Sequence, residues 1–136
     1  LNDEVHAFIV RGDAAGLERM LTDILPLDVR DARRVFVLDT TGRFVASAPA
    51  QPDLRGVDFG RTDYFLGAAN PWRPFVSQIY LNEQTPEVTI AVPIFDAGGD
   101  PIGLLCAAVD LGRAATWLAA MTDLFHVSLP FDQRAA

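Results

Sequence analysis

The residues best placed to do chemistry lie between Gly56 and Tyr80, in the stretch GVDFGRTDYFLGAANPWRPFVSQIY. Two arginines (Arg61, Arg73), two tyrosines (Tyr64, Tyr80), Trp72, Ser77 and Gln78 are gathered there among apolar neighbours. Small-molecule sites have this composition, a few polar groups set in aromatic and apolar surroundings. An acid leaving water needs a cation and hydrogen-bond donors, because burial of an uncompensated carboxylate is prohibitive. An arginine fork supplies two such donors at once. Thr62 adds more if it caps a helix, since the amides of Asp63, Tyr64 and Phe65 are then free at its N-terminus. Asp63 works against an anion unless it points outward.

Catalytic alternatives find little support in the residues. His6 and His126 lie near opposite ends of the chain, and neither has a nucleophile or metal-spaced partner beside it. A nucleophile requires a positioned base and a third group to orient it. The acidic residues sit mostly in turns and caps; Asp96 and Asp100 flank a glycine turn, where aspartate belongs for turn geometry alone. No dinucleotide or P-loop glycine motif is present. The expectation is a binding domain that is not an enzyme and needs no cofactor or metal.

Composition narrows the class further. The chain has 136 residues, enough for one domain with its own core, and half of them are hydrophobic. A net charge of -7 argues against a nucleic-acid surface, which needs clustered positive charge. All 11 basic residues are arginine, so any cationic ligand contact must be an arginine. Cys106 is the sole cysteine, which excludes an internal disulfide; its place in GLLCAAVDL reads as a packed small hydrophobe. No run approaches the roughly 18 apolar residues that cross a bilayer, and no signal peptide is visible. Beginning at Leu1, the chain reads as a piece of a longer protein.

The elements that must position the central stretch follow from periodicity. Residues 2–25 carry apolar positions at helical spacing, interrupted at Gly12 and Asp13 and ended by Pro26. Asp13 either caps a second helix or lies within one continuous helix. That helix packs on its own sheet, on a dimer mate, or on both. Residues 34–48 read as a hairpin turning at Asp39–Gly42, and Thr62–Ala69 as a short capped helix stopped by Asn70 and Pro71. FVSQIYL, VTIAVPIFD and IGLLCAAVDL read as strands, with Val88, Ile90 and Val92 sharing one face and the last strand buried on both. Residues 113–124 read as a helix, and 125–136 as an edge strand, linker or frayed tail. Strands grouped together with helices outside them give an α+β fold.

Five pieces in order, VFVLDTTGRFVASAP, GVDFGRTDYFLGAA, FVSQIY, VTIAVPIFDAGGDPIGLL and VDL, resemble the Cache sensor family, the PAS-like domains of bacterial receptors. The resemblance runs from Val35 to Leu111. It implies a PAS-like/Cache fold: a roughly five-stranded antiparallel sheet, a long N-terminal helix, a helical lid and a C-terminal helix. The implied organisation is one sensor unit, with helix and connector at 1–33, sheet and lid at 34–111, and helix and tail at 112–136. It also implies an extracytoplasmic location, flanking transmembrane helices outside this chain, a homodimer through the N-terminal helix, and a parent receptor that is a sensor kinase, chemoreceptor or cyclic-dinucleotide enzyme. In many relatives the lid reads R-x-Y-F, with arginine and tyrosine directed at a ligand carboxylate. Tyr64 and Phe65 match the Tyr-Phe pair, whereas Thr62 holds the arginine's position. Either Arg61 or Arg73 then supplies the fork. Trp72, Thr89 and Asp110 complete the candidate ligand contacts, Asp110 for a ligand ammonium. Strand alternation sends Ser77 to the opposite face from Gln78 and Tyr80 and makes Ser77 the better contact. The competing expectation is a ligand-free dimerisation or partner-binding module whose lid is plain structure.

Overall fold

The computed structural model describes residues 7–9, 11–28 and 32–112, with the backbone alone for 24–28. The expected helix at 113–124, the tail, and both histidines lie outside the described residues. The N-terminal helical pattern is two segments rather than one. Gly12, at φ +68°, ends the first by donating to Ile9 O at 3.1 Å while Asp13 N donates to Phe8 O at 2.9 Å. This pair of bonds closes a helix around a left-handed residue, which glycine adopts without a Cβ penalty. Asp13 then caps the next helix, its carboxylate accepting from Gly16 N at 2.9 Å. That helix, α1, spans Ala14–Asp28. It continues two residues past Pro26, the expected stop, because a proline near a helix's last turn removes only its own bond to the preceding turn.

Six strands follow among the described residues: β1 (Ala32–Leu38), β2 (Phe44–Ala48), β3 (Phe75–Val76), β4 (Tyr80–Asn82), β5 (Thr85–Phe95) and β6 (Pro101–Asp110). Every pairing is antiparallel, in the order β2-β1-β6-β5-β3, with β4 also on β5. Because β3 and β4 share one edge, the sheet has five strand positions, as expected of this α+β fold. The β1–β2 turn is built on Asp39, whose carboxylate accepts from Thr41 N at 2.9 Å and Arg43 N at 3.0 Å, with Gly42 at φ +91°. The β4–β5 turn places Glu83 and Gln84 at φ +51° and +73°. The right-handed twist of a hairpin favours that geometry although neither residue is a glycine.

The two sheet faces carry separate clusters. On one, Leu17 and Leu21 of α1 pack with Val35, Val37, Ala46, Ala48 and Ile94. On the other, Phe36, Leu38, Leu104, Cys106 and Ala91 meet Phe44, Tyr64 and Phe65. Burying a side chain of this size contributes about 1.5–3 kcal/mol. The last strand is tightly packed but not evenly so: Leu104, Cys106 and Ala108 are buried, whereas Leu105 and Ala107 on the α1 face are half-buried. On strand β5, Val88, Ile90 and Val92 share one face as expected, but it is the less buried one. Ile90 and Val92 are 38% and 43% exposed, while Glu87, Thr89 and Ala91 on the alternate face are fully buried. Alternation identifies the two faces correctly, but the lid covers the more polar one, while on the apolar one Ile94 is buried with α1 and Ile90 and Val92 are left exposed. Among the described residues, no helix is long and apolar enough to cross a membrane.

Candidate ligand cleft between the lid helix and the sheet

The lid is the helix α2, Asp63–Ala69. Thr62 caps it as its sequence implies: its hydroxyl accepts from Phe65 N at 3.3 Å and donates to Phe59 O at 2.8 Å. Asn70 and Pro71 stop it. The approach to the lid is strapped to the β1–β2 hairpin, through Phe59 N to Gly42 O at 2.7 Å and Phe44 N to Val57 O at 2.9 Å. Its first turn is tied across to the far edge of the sheet, where the Asp63 carboxylate accepts from Gln78 N at 2.7 Å. That contact spends the negative charge of Asp63 on the protein itself.

Beneath the helix N-terminus lies an open cleft of about 350 Å³ lined by Arg34, Thr62, Asp63, Tyr64, Gln78, Ile79 and Tyr80. This is within the range of small-ligand sites. Behind the cleft's Tyr64, Phe36 stacks on Phe44 at 5.8 Å and meets the Tyr64 ring edge-on at 6.0 Å. Arg34 rises from β1 on the same face as Phe36, with its guanidinium 5.6 Å over the Phe36 ring. Arg34 forms no ion pair among the described residues. It also lines a second cavity of about 360 Å³ with Arg33, Pro49, Gln51, Asn82 and Glu83.

Burial holds the tyrosines as neutral phenols. Desolvation pushes Tyr64 far above the ordinary tyrosine range, with the nearby Cys106 adding to it. Burial also raises Tyr80, opposed by its hydrogen bond with Thr89, where hydroxyl and hydroxyl stand 2.8 Å apart. Both tyrosines are therefore hydrogen-bonding groups at ordinary pH, not anions. Among the described residues, no group of acidic, histidine or cysteine side chains could hold a metal.

The candidates read from the sequence separate into three sets. Tyr64 is buried and lines the cleft. Arg61 and Arg73 are exposed and line neither cavity, so the structure brings neither to the position of the missing lid arginine. Trp72 packs edge-on against Phe65 at 6.3 Å, as lid core. Ser77 is committed to the sheet: its hydroxyl donates to Gln78 O and accepts from Thr89 N, each at 2.8 Å. This corrects the alternation argument. The serine hydroxyl replaces a backbone acceptor, the strand breaks after Val76, and Gln78 and Tyr80 come together to the cleft. Thr89 is fully buried and orients Tyr80. Asp110 ends β6, opposite Glu87 in register, and its carboxylate accepts from Gly112 N at 2.8 Å.

Sequence reasoning missed Arg34, Arg33, Glu87 and Asn82. The signal was there: Arg34 alternates with Phe36 and Leu38, and Glu87 with Thr89 and Ala91, placing charge on a covered face. The apolar alternates drew attention instead.

The sequence matches no protein-family model and no curated protein. Solved structures do share its fold. The sensor domain of DcuS from E. coli superposes with a TM-score of 0.68 at 17% identity, over 85% of this chain and 83% of that one. An extracellular ligand-binding receptor from Desulfohalobium retbaense gives 0.61 at 20% identity, over 79% and 23%. The ligand-binding domain of the Pseudomonas fluorescens chemoreceptor CtaA, in complex with L-isoleucine, gives 0.63 at 18% identity, over 88% and 48%. The chain thus spans most of the first domain but less than half of the other two. The chain therefore has the fold shared by these extracellular sensor and ligand-binding domains.

Proposed function

We propose that this chain is the ligand-sensing, extracytoplasmic domain of a membrane-bound signalling receptor, a sensor kinase, chemoreceptor or cyclic-dinucleotide enzyme. It takes a small organic acid in the cleft under α2, with Arg34 as the partner of the acid. The observation that carries this reading is the half-buried Arg34 guanidinium, which lines the cleft and lies over the Phe36 ring without an ion pair among the described residues. A carboxylate seated there meets a fork on one side and, on the other, the Tyr80 and Gln78 side chains. The neighbours' names, a sensor domain, an extracellular receptor and a chemoreceptor domain holding an amino acid, support the same class.

Signalling follows from what the lid and sheet connect. Because α1 packs on the opposite face from the cleft, a ligand that binds two arrangements of the lid unequally shifts the sheet against α1. The test is the thermal stability of the domain against a panel of short carboxylates and amino acids. A ligand at 100 times its dissociation constant stabilises by about 2.7 kcal/mol. Failure of every compound to raise the melting temperature, together with Arg34→Ala being silent, rejects the proposal.

A further inference from the structure

We propose that residues 113–124 form a helix that docks beside α1 on the exposed half of the sheet's apolar face. That face is covered on one side only. Two rows of apolar residues cross it in register. One passes from Val35 on β1 through Ala107 on β6 and Ile90 on β5 to Val76 on β3; the other runs from Val37 through Leu105 to Val92. Burial falls along both rows with distance from α1. Val35 and Val37 are buried beneath it, Leu105 and Ala107 are half-buried, Ile90 and Val92 are exposed, and Val76 is 56% exposed. A contiguous apolar patch of this kind marks a docking surface, because a solitary folded chain seldom leaves one uncovered.

Width, exit point and length all select the chain's own C-terminal segment as the occupant. Strands stand about 4.8 Å apart and a helix is about 10 Å across, so one helix covers about two strands. α1 packs over β1 and β2, which leaves the width of a second helix over β6 and β5. With α1 standing beside the strip, the face is a step that the flat sheet of another copy cannot lie across. The chain leaves β6 at Asp110, opposite Glu87, at the Val88 end of β5. There the Asp110 carboxylate accepts from Gly112 N at 2.8 Å, and Leu111 and Gly112 already have helical backbone. The lid-side face is occupied at that end, where Tyr80 lies against Thr89. A helix that reverses on the α1 side runs back along β5 from Val88 toward Ile94. Residues 113–124 extend about 18 Å as helix, and Val88 to Ile94 spans about 20 Å as strand. Trp117, Leu118, Met121 and Leu124 recur at helical spacing, with Thr116, Thr122 and Asp123 on the other side of the pattern.

The test is tryptophan fluorescence of the 136-residue chain carrying Trp72→Phe, which leaves Trp117 as the sole emitter. The expected emission is blue-shifted, shielded from acrylamide, and unchanged on dilution. Ile90→Lys, on the exposed strip, shifts that emission to the red and opens it to the quencher. Leu66→Lys, at an exposed apolar position on the lid, leaves it unchanged. Should Ile90→Lys not fold, Leu118→Lys gives the reciprocal reading, because it alters the segment and not the sheet: Trp117 opens to the quencher and the chain binds more of an apolar dye. A solvent-like Trp117 spectrum in the Trp72→Phe chain overturns the proposal. So does a spectrum that neither Ile90→Lys nor Leu118→Lys alters, or an equal response to Leu66→Lys. Shielding lost on dilution, with a dimer mass by light scattering, also overturns it and assigns the face to a second copy.

Discussion

Replacing Arg34 by alanine is the perturbation that most directly probes the cleft. Hydrogen bonds to charged groups contribute about 1.5–3 kcal/mol each, and truncating one partner of a hydrogen-bonded charge pair costs about 2–5 kcal/mol. Arg34 is half-buried, so the lower part of that range applies, about 2–3 kcal/mol. At about 1.4 kcal/mol per decade, affinity for the acid falls roughly 30- to 140-fold. The folded state loses much less. The guanidinium lies 5.6 Å over Phe36, an exposed-type cation–π contact worth about 0.5–1 kcal/mol. Binding and stability therefore separate: calorimetry with the most stabilising acid of the panel shows the large effect, and the melting temperature of the ligand-free variant the small one. Arg61→Ala and Arg73→Ala serve as controls, since neither side chain lines a cavity. A change below about threefold in Arg34→Ala, with a tenfold loss in either control, refutes the assignment of the cation and returns it to the lid loop.

Thr62→Ala removes the α2 cap and is expected to destabilise the domain by about 1 kcal/mol in chemical denaturation. Because the cap shapes the roof of the cleft, ligand affinity should fall with it. Gln84→Gly relieves a left-handed residue in the β4–β5 turn, where a side chain costs roughly 1–2 kcal/mol, and should raise the denaturation midpoint; a lowered midpoint contradicts the turn geometry. Alkaline titration of stability reports the buried protons. Tyr64, Tyr80 and Cys106 all ionise later in the folded state than in the unfolded one. Their contribution is intact below the unfolded values, about 8.5 for cysteine and about 10 for tyrosine. Above those values the unfolded chain sheds protons that the native state keeps, so stability falls by up to about 1.4 kcal/mol per pH unit for each of the well-buried Tyr64 and Cys106, and by less for the half-exposed Tyr80. Thermal unfolding followed from pH 7 to 11 should be level at first and decline from about pH 9; a flat profile refutes the burial argument.

The local chemistry of this chain was legible in its sequence. Thr62 and Asn70-Pro71 delimit α2 because a cap and a stop are decided by the few residues they touch. Asp39 and Gly42 fix the first hairpin for the same reason. Tyr64, singled out by the resemblance rather than by periodicity, lines the cleft. What required the tertiary structure was which strand face the lid covers. Periodicity gives two faces of β5 and cannot rank them, and hydrophobicity is no guide here, because the covered face carries Glu87 and Thr89. The cation was hidden by the same logic. Arg34 lies 27 residues before Arg61 in the chain, and only the pairing of β1 with β6, and β6 with β5, carries it beneath the helix that Thr62 begins. Ser77 shows the converse limit: its hydroxyl accepts from Thr89 N within the sheet, and the side of the chain that reaches the cleft carries Gln78 and Tyr80 instead. Caps and turns are short-range and written locally; a cleft is made of residues from separate strands, and only their packing decides its members.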